Sequence, residues 1–200
     1  MACRFDSCPI RQMLNKDNEK VSVDIILQPS IKTVQSIMYF QFRFMAWTPA
    51  DMEEQDDRYG SEPFGYITAK VDNQLIGVTN LLKRSIKFHN QNILLGGFGG
   101  VCVHKDFRRQ GFALKMLQAG IKELNKQNCD VAFLCTDLDL LSSLYSQVGF
   151  LPLNRQYKAT GESGKVYFDK GGMIALVKSK DIFDRVLADS ATFDLQGQDW

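Results

Sequence analysis

The residues best placed to do chemistry are Arg108-Arg109-Gln110-Gly111-Phe112-Ala113, where two arginines, a glycine and a small residue stand together. They join an apolar, β-branched run, Val101-Cys102-Val103, to a stretch with apolar or small residues at Ala113, Leu117, Gly120, Ile121 and Leu124. The first run reads as a strand and the second as an amphipathic helix, with Lys115, Gln118 and Lys122 on its surface. Strand, tight turn and helix N-terminus make an anion site. The first-turn N–H groups have no intrahelical partner, and the helix dipole favours negative charge there. Gly111 has no Cβ to keep an anion off the main chain. Two nucleotide-binding patterns do not account for this loop. The glycines of Gly97-Phe98-Gly99-Gly100 lack a third partner and precede the apolar strand instead of following it. No Gly-Lys-Ser/Thr enters the helix, as a P-loop requires.

Around this loop, 200 residues are enough for one domain with tails. The expected division is a polar segment over 1–20, a domain over 21–177, and a helix and tail over 178–200. Val21–Leu27 reads as the first strand, and Ser30 as the cap of a helix over Ile31–Met45. An acidic helical piece after Pro49 carries Asp51, Glu53, Glu54, Asp56 and Asp57. Phe64–Val71 and Gln74–Lys87 read as strands around an Asp72-Asn73 turn, and His89-Asn90 as a turn into the strand ending near His104. After the Phe112–Asn125 helix, Val131–Cys135 is a compact apolar strand, parallel to the Val101 strand because a crossover helix joins them. A helix over about Leu140–Val148, stopped by Gly149, precedes strands over Phe150–Ala159 and Val166–Val177 and a helix over about Ser179–Ala188.

The formal net charge of +1 gives no basic surface for nucleic acid. Cys102, Cys129 and Cys135 lie in apolar surroundings, and no Cys-x-x-Cys pair points to a metal site. The N-terminus lacks a signal-peptide core and no run is long enough to span a membrane, so the expected location is the cytoplasm.

Val103-His104-Lys105-Asp106-Phe107-Arg108-Arg109-Gln110-Gly111-Phe112-Ala113 resembles the acetyl-coenzyme A signature of the GCN5-related N-acetyltransferases, R/Q-x-x-G-x-G/A. Leu144-Tyr145-Ser146-Gln147-Val148-Gly149-Phe150 resembles that family's second motif, an aromatic-x-x-x-Gly-Phe run closing the cofactor site. The resemblance implies an α/β fold: a mixed, mostly antiparallel central sheet with a splayed parallel strand pair, flanked by helices. It implies acetyl-coenzyme A as cosubstrate, no metal, and direct acetyl transfer to a primary amine. N–H groups from Arg109 to Ala113 would cradle the pyrophosphate, and the backbone of Val101, Cys102 and Val103 would pair with the pantetheine arm as an added strand does.

In that family a tyrosine at the position of Tyr145 commonly serves as general acid. A phenol of pKa about 10 can donate to a thiolate whose conjugate acid lies near ~8.5, given good positioning. Many related enzymes carry a glutamate base on the strand before Val-x-Val, but Leu94–Val103 holds no acidic residue. His104, Asp137 or a water chain are the alternatives, and Asp137 and Asp139 also suit helix N-caps. The ending Asp194-Leu195-Gln196-Gly197-Gln198-Asp199-Trp200 is similar to the aminoglycoside 2'-N-acetyltransferase branch, where a terminal tryptophan carboxylate lies near the substrate amines. On that reading Trp200, Asp199 and the Asp51–Asp57 segment face a small, polycationic amine; otherwise they are a frayed tail and a solvated acidic face. Protein N-termini, lysines and small amines remain open as acceptors. So do a non-catalytic acyl-CoA-binding domain, a longer acyl chain, and a monomeric or homodimeric state.

Overall fold

The structure is a computed structural model that describes residues 20–45 and 56–200. Seven strands form the central sheet: β1 (Val21–Ile26), β2 (Gly65–Val71), β3 (Gln74–Phe88), β4 (Gln91–Val103), β5 (Val131–Cys135), β6 (Phe150–Pro152) and β9 (Gly172–Leu176). Their order across the sheet is β1-β2-β3-β4-β5-β9-β6. Every neighbouring pair is antiparallel except β4 and β5. A smaller sheet holds β7 (Tyr157–Thr160) between β8 (Val166–Asp169) and β10 (Phe193–Asp194). Among the described residues, the longer helices that flank them are α1 (Ile31–Phe44), α2 (Phe112–Lys126), α3 (Leu138–Ser146) and α4 (Lys180–Ala188).

The parallel pair positions the site. β4 and β5 pair at Leu95–Val131, Gly96–Ala132 and Gly97–Phe133, and then separate. Alternation along both strands sends side chains to two cores. Phe98 and Leu134 join Met116, Leu117, Leu124 and Phe150 under α2, while Leu95, Val131 and Phe133 join Leu82, Tyr157, Val186 and Phe193 on the other face. α1 seals a third cluster with Ile37 and Phe40 against Tyr66, Val78 and Cys102. Ser30 caps α1 by accepting from the Thr33 N–H at 3.2 Å, as its type and position predict.

Four boundaries differ from the sequence reading. The glycines read as an approach to the Val101 strand lie inside β4, where Gly96 and Gly97 admit side chains from both cores. The Phe150–Ala159 strand is divided between the two sheets: Pro152 ends β6, and Asn154 turns the chain at φ 55° before β7. The Val166–Val177 strand breaks where Asp169 Oδ1 accepts from the N–H groups of Lys170 (2.6 Å) and Gly171 (2.9 Å), an Asx turn that competes with the ladder. α3 begins at Leu138 and stops at Ser146, because Asp137 caps it two residues early and Gly149 takes φ 90°.

The tail is not frayed. Phe193, Leu195 and Trp200 are buried in the second core, and β10 runs parallel to β7. Of the acidic piece after Pro49, only Asp56 and Asp57 lie within the described residues. No described helix is long and apolar enough to cross a membrane.

Gly120 shows how tightly α2 sits on the sheet. A Cβ there would overlap the Phe98 ring, which is 1% exposed. Gly120→Val should therefore lower unfolding free energy by about 1–3 kcal/mol through overpacking, despite the better helix propensity of valine. Urea or thermal unfolding checks this.

Candidate functional site

Beyond their last shared pair, β4 and β5 leave an opening that two adjacent cavities enter. The first, of about 520 Å³, runs along Val101, Cys102 and Val103 to the loop before α2. Only one edge of this part of β4 is paired. Val103 and Cys102 face Gly77 and Val78 of β3, and the ladder slips between Val78 and Asn80. A bulge forms there, with Gly100 at φ 57°. Gln41 of α1 fixes it, its Nε2 donating to the Gly100 carbonyl at 2.9 Å and to Asn80 Oδ1 at 3.0 Å. The opposite edge of Val101–Val103 has no partner in β5, whose pairing with β4 ends at Gly97.

The loop before α2 carries the anion-binding features. Gly111 is the N-cap of α2 at φ 82°, ψ 3°, and supplies no side-chain cap. Nothing lies within 4 Å of where its Cβ would be, so the first-turn N–H groups are approachable. Arg109 also takes a left-handed backbone, at φ 61°. Arg109, Gly111, Phe112 and Ala113 line the cavity.

Two side chains of this loop are committed elsewhere. Arg108 lines the cavity, but its Nε donates to the Val103 carbonyl at 3.0 Å and its second amino nitrogen to the Phe44 carbonyl at 3.1 Å. It braces the loop against β4 and α1. The Gln110 side chain turns back to the Asp106 carbonyl at 3.1 Å, outside the cavity lining, which leaves its backbone as the group available to an anion.

The second cavity, of about 810 Å³, lies on the other side of the splay. It shares Met45, Val101, Leu141 and Tyr145 with the first. Tyr145 therefore stands where the two meet. It is 5% exposed and packs edge-on against Phe150 at 6.2 Å. Burial pushes its phenol up to about 12, with Cys135 adding to the rise and a hydrogen bond with Thr136 opposing it. The proton is held firmly at neutral pH.

Trp200 forms the inner wall of the second cavity. Its indole fills the space that Gly97 leaves open and packs edge-on against Phe133 at 5.9 Å. The Cys135 thiol donates to the Trp200 carbonyl at 3.4 Å. Asp137 is at the rim, where its Oδ1 accepts from the N–H groups of Asp139 (3.0 Å) and Leu140 (3.1 Å). It is the N-cap of α3, and Asp139 belongs to the first turn. His104 lines neither cavity: its Nδ1 accepts from the Asp106 N–H, and its ring packs against Phe44.

Sequence reasoning missed the polar network that holds Trp200. Arg58 donates to Asp199 Oδ2 through both Nε (3.1 Å) and a terminal nitrogen (3.0 Å), and to Asp169 at 2.9 Å. Tyr157 Oη donates to the same Asp199 oxygen at 2.8 Å. Burial pushes the Asp199 carboxyl up, against the pull of Tyr157 and Arg58. Arg84 donates to the Leu195 and Gln198 carbonyls and lies over the Trp200 ring at 5.4 Å. Asp199 is thus neutralised inside the protein and offers no free charge to a ligand, contrary to the expectation from its position. Asn80, a polar residue in the apolar run Val78–Leu82, was the signal for the bulge. Arg58, in an acidic stretch, gave none for its partners.

A family model described as an acetyltransferase (GNAT) domain matches residues 32–152, more than half of the chain. N-alpha-acetyltransferase 30 of Saccharomyces cerevisiae is 20% identical over 150 residues, covering 72% of this chain and 76% of its own. The Escherichia coli GNAT family N-acetyltransferase YhbS, solved in complex with CoA, superposes with a TM-score of 0.55 at 16% identity, covering 88% of this chain and 89% of its own. Eis1 from Mycobacterium abscessus superposes with a TM-score of 0.51 at 15% identity over 68% of this chain, which spans only 32% of the Eis1 chain.

Removing the cation from the Trp200 network is a direct test of its weight. Arg58→Met leaves the fully buried Asp199 carboxylate without its charge partner and should cost about 3 kcal/mol at neutral pH. Asp199 already sits above its ordinary value. Losing Arg58 raises it further, so the folded state binds that proton at a pH where the unfolded chain does not. The deficit relative to wild type should therefore shrink as pH falls through the raised value and grow as pH rises. Urea unfolding of both proteins across pH checks the magnitude and the sign.

Proposed function

This chain belongs to the GNAT acetyltransferase family, and from that premise we propose that it transfers an acetyl group from acetyl-coenzyme A directly to a primary amine. The carrying observation is that Tyr145 lies at the junction of two cavities, one suited to the cosubstrate and the other to an acceptor.

The unpaired strand edge and the uncapped helix start bordering the first cavity support acetyl-coenzyme A as its occupant. When bound, this cosubstrate supplies a thioester carbonyl and a thiol leaving group. The unpaired edge of Val101–Val103 would hydrogen-bond the pantetheine amides as a neighbouring strand would, with a donor near the thioester carbonyl. Backbone N–H groups from Arg109 to Ala113 would receive the pyrophosphate at the uncapped start of α2, Gln110 through its main chain. Arg108 would contribute charge at short range while bracing the loop.

Tyr145 would hold a proton at Oη and deliver it to the departing sulfur. With its phenol raised to about 12, it keeps that proton across the neutral range. A covalent route through Cys135, which also lines the second cavity, is disfavoured: burial first, then Asp199, keeps that thiol well above its ordinary value and so uncharged. Direct transfer with both substrates present needs no such nucleophile. On the acceptor side, Trp200 would bound the amine from within and Asp137 would sit at the rim. Asp137 could accept a proton or orient the ammonium without leaving its capping position, since a carboxylate has lone pairs to spare.

Tyr145→Phe removes one oxygen and should lower kcat about a hundredfold with little change in either KM. In the wild-type enzyme kcat should show no alkaline loss up to about pH 10, because the Tyr145 proton is retained. Steady-state kinetics across pH checks both. For Asp137 the two roles separate by substitution. Asp137→Asn keeps a good cap, so stability should hold while the amine KM rises. Asp137→Ala should also lose about 1 kcal/mol of stability. If the amine KM is the same in Asp137→Asn and wild type, Asp137 does not face the acceptor.

A further inference from the structure

The second cavity has a chemical character that narrows its ligand. We infer that the acceptor is a primary amine carried within a few bonds of an apolar or aromatic group, and that α1 supplies the wall that selects it. This rests on the acetyltransfer reading above and refines its substrate class.

Met38, Tyr39 and Phe42 lie at i, i+1 and i+4 of α1, so they share one side of the helix, and all three line the cavity. They are 61%, 64% and 64% exposed, although each is a large apolar or aromatic residue. Leu141 of α3, 41% exposed, lines it too. Trp200 and Tyr59 add aromatic surface further in. A contiguous apolar surface left open beside a reaction centre marks a place that something apolar covers. Its continuity with the junction at Tyr145 points to the body of the acceptor as the group that covers it.

The charges tell the same story. A polycationic acceptor would need several unpaired carboxylates. Among the described residues lining this cavity, the side-chain carboxylates are Asp137 and Asp169. Asp169 is bound to Arg58 at 2.9 Å and to two backbone N–H groups. Asp137 accepts two backbone N–H groups with one oxygen, which leaves it as the one side-chain carboxylate of the lining not paired with a cation. Arg58 already lies over the Tyr59 ring and Arg84 over the Trp200 ring, so Tyr39 and Phe42 are the rings left to favour a cation, and they give no reason to prefer several.

A small molecule and the N-terminus of a peptide share this chemistry, since both present an ammonium next to an apolar group. The test measures thiol release and acetylated product with phenylethylamine, a tetrapeptide with N-terminal leucine, spermidine and an aminoglycoside. One or both of the apolar amines should exceed both polycations in kcat/KM by about tenfold or more, and the better of the two identifies the source. Phe42→Asp should raise the KM of the better apolar amine about tenfold, leave the acetyl-coenzyme A KM unchanged, and improve spermidine. Met38→Glu is a second variant with the same expectation, should the first fold poorly. A polycation preferred by the wild-type enzyme, or variants that leave the ranking and KM values unchanged, would overturn the inference. Acetyl-coenzyme A binding with no acetylation of any of the four would instead overturn the acetyltransfer reading beneath it.

Discussion

Everything at the site depends on how briefly β4 and β5 stay together. They pair through Gly97 and Phe133, where the indole of Trp200 packs over the glycine on one face, and they separate beyond that pair. A strand that loses a neighbour exposes a row of N–H and C=O groups, which in most sheets is a liability. Here that row, Val101–Val103, borders a cavity ending at an uncapped helix N-terminus. One divergence thus leaves both an unpaired strand edge and a gap beside it. The bulge at Gly100, held by Gln41 and Asn80, sets the direction of that edge.

The wedge needs its own support. Trp200 is held by packing against Phe133 and by main-chain contacts, and the residue before it is a buried carboxylate. Buried ion pairs seldom add much net stability over apolar replacements, but breaking one is costly. Arg58, Tyr157, Asp169 and Asp199 therefore act best as a register device, fixing where the last residues sit. The same pairing takes up the Asp199 and Asp169 charges, and Asp137 is the side-chain carboxylate of the second cavity not paired with a cation.

Much of this was legible in the sequence, and the reasons are local. Strand, loop and helix around Gly111 announce themselves through β-branched residues, a glycine and 3.6-residue periodicity, all readable within a short window. Ser30 as a cap and the spacing from Tyr145 to Gly149 and Phe150 are equally local. The residues that escaped are long-range partners. Arg58 meets Asp199 across 141 positions, and Arg84 meets the Gln198 carbonyl across 114. No pattern in either stretch encodes the other. Boundaries failed for a related reason. Phe150–Ala159 has the composition of one strand, but Pro152 and the left-handed Asn154 divide it between two sheets. Asp137 was readable as both cap and ligand, and its geometry shows the cap, made by one oxygen, in a residue that also lines the cavity.

The central claim is that the splay brings a cosubstrate thiol and an acceptor amine to Tyr145. A crystal structure with coenzyme A and an apolar amine tests it most directly. The sulfur should lie within about 4 Å of Tyr145 Oη, with pantetheine amides paired with Val101–Val103 and pyrophosphate on the N–H groups after Arg108. The amine should lie on the Trp200 side, against α1. Coenzyme A bound with its sulfur away from Tyr145, or an amine seated outside the second cavity, would contradict it.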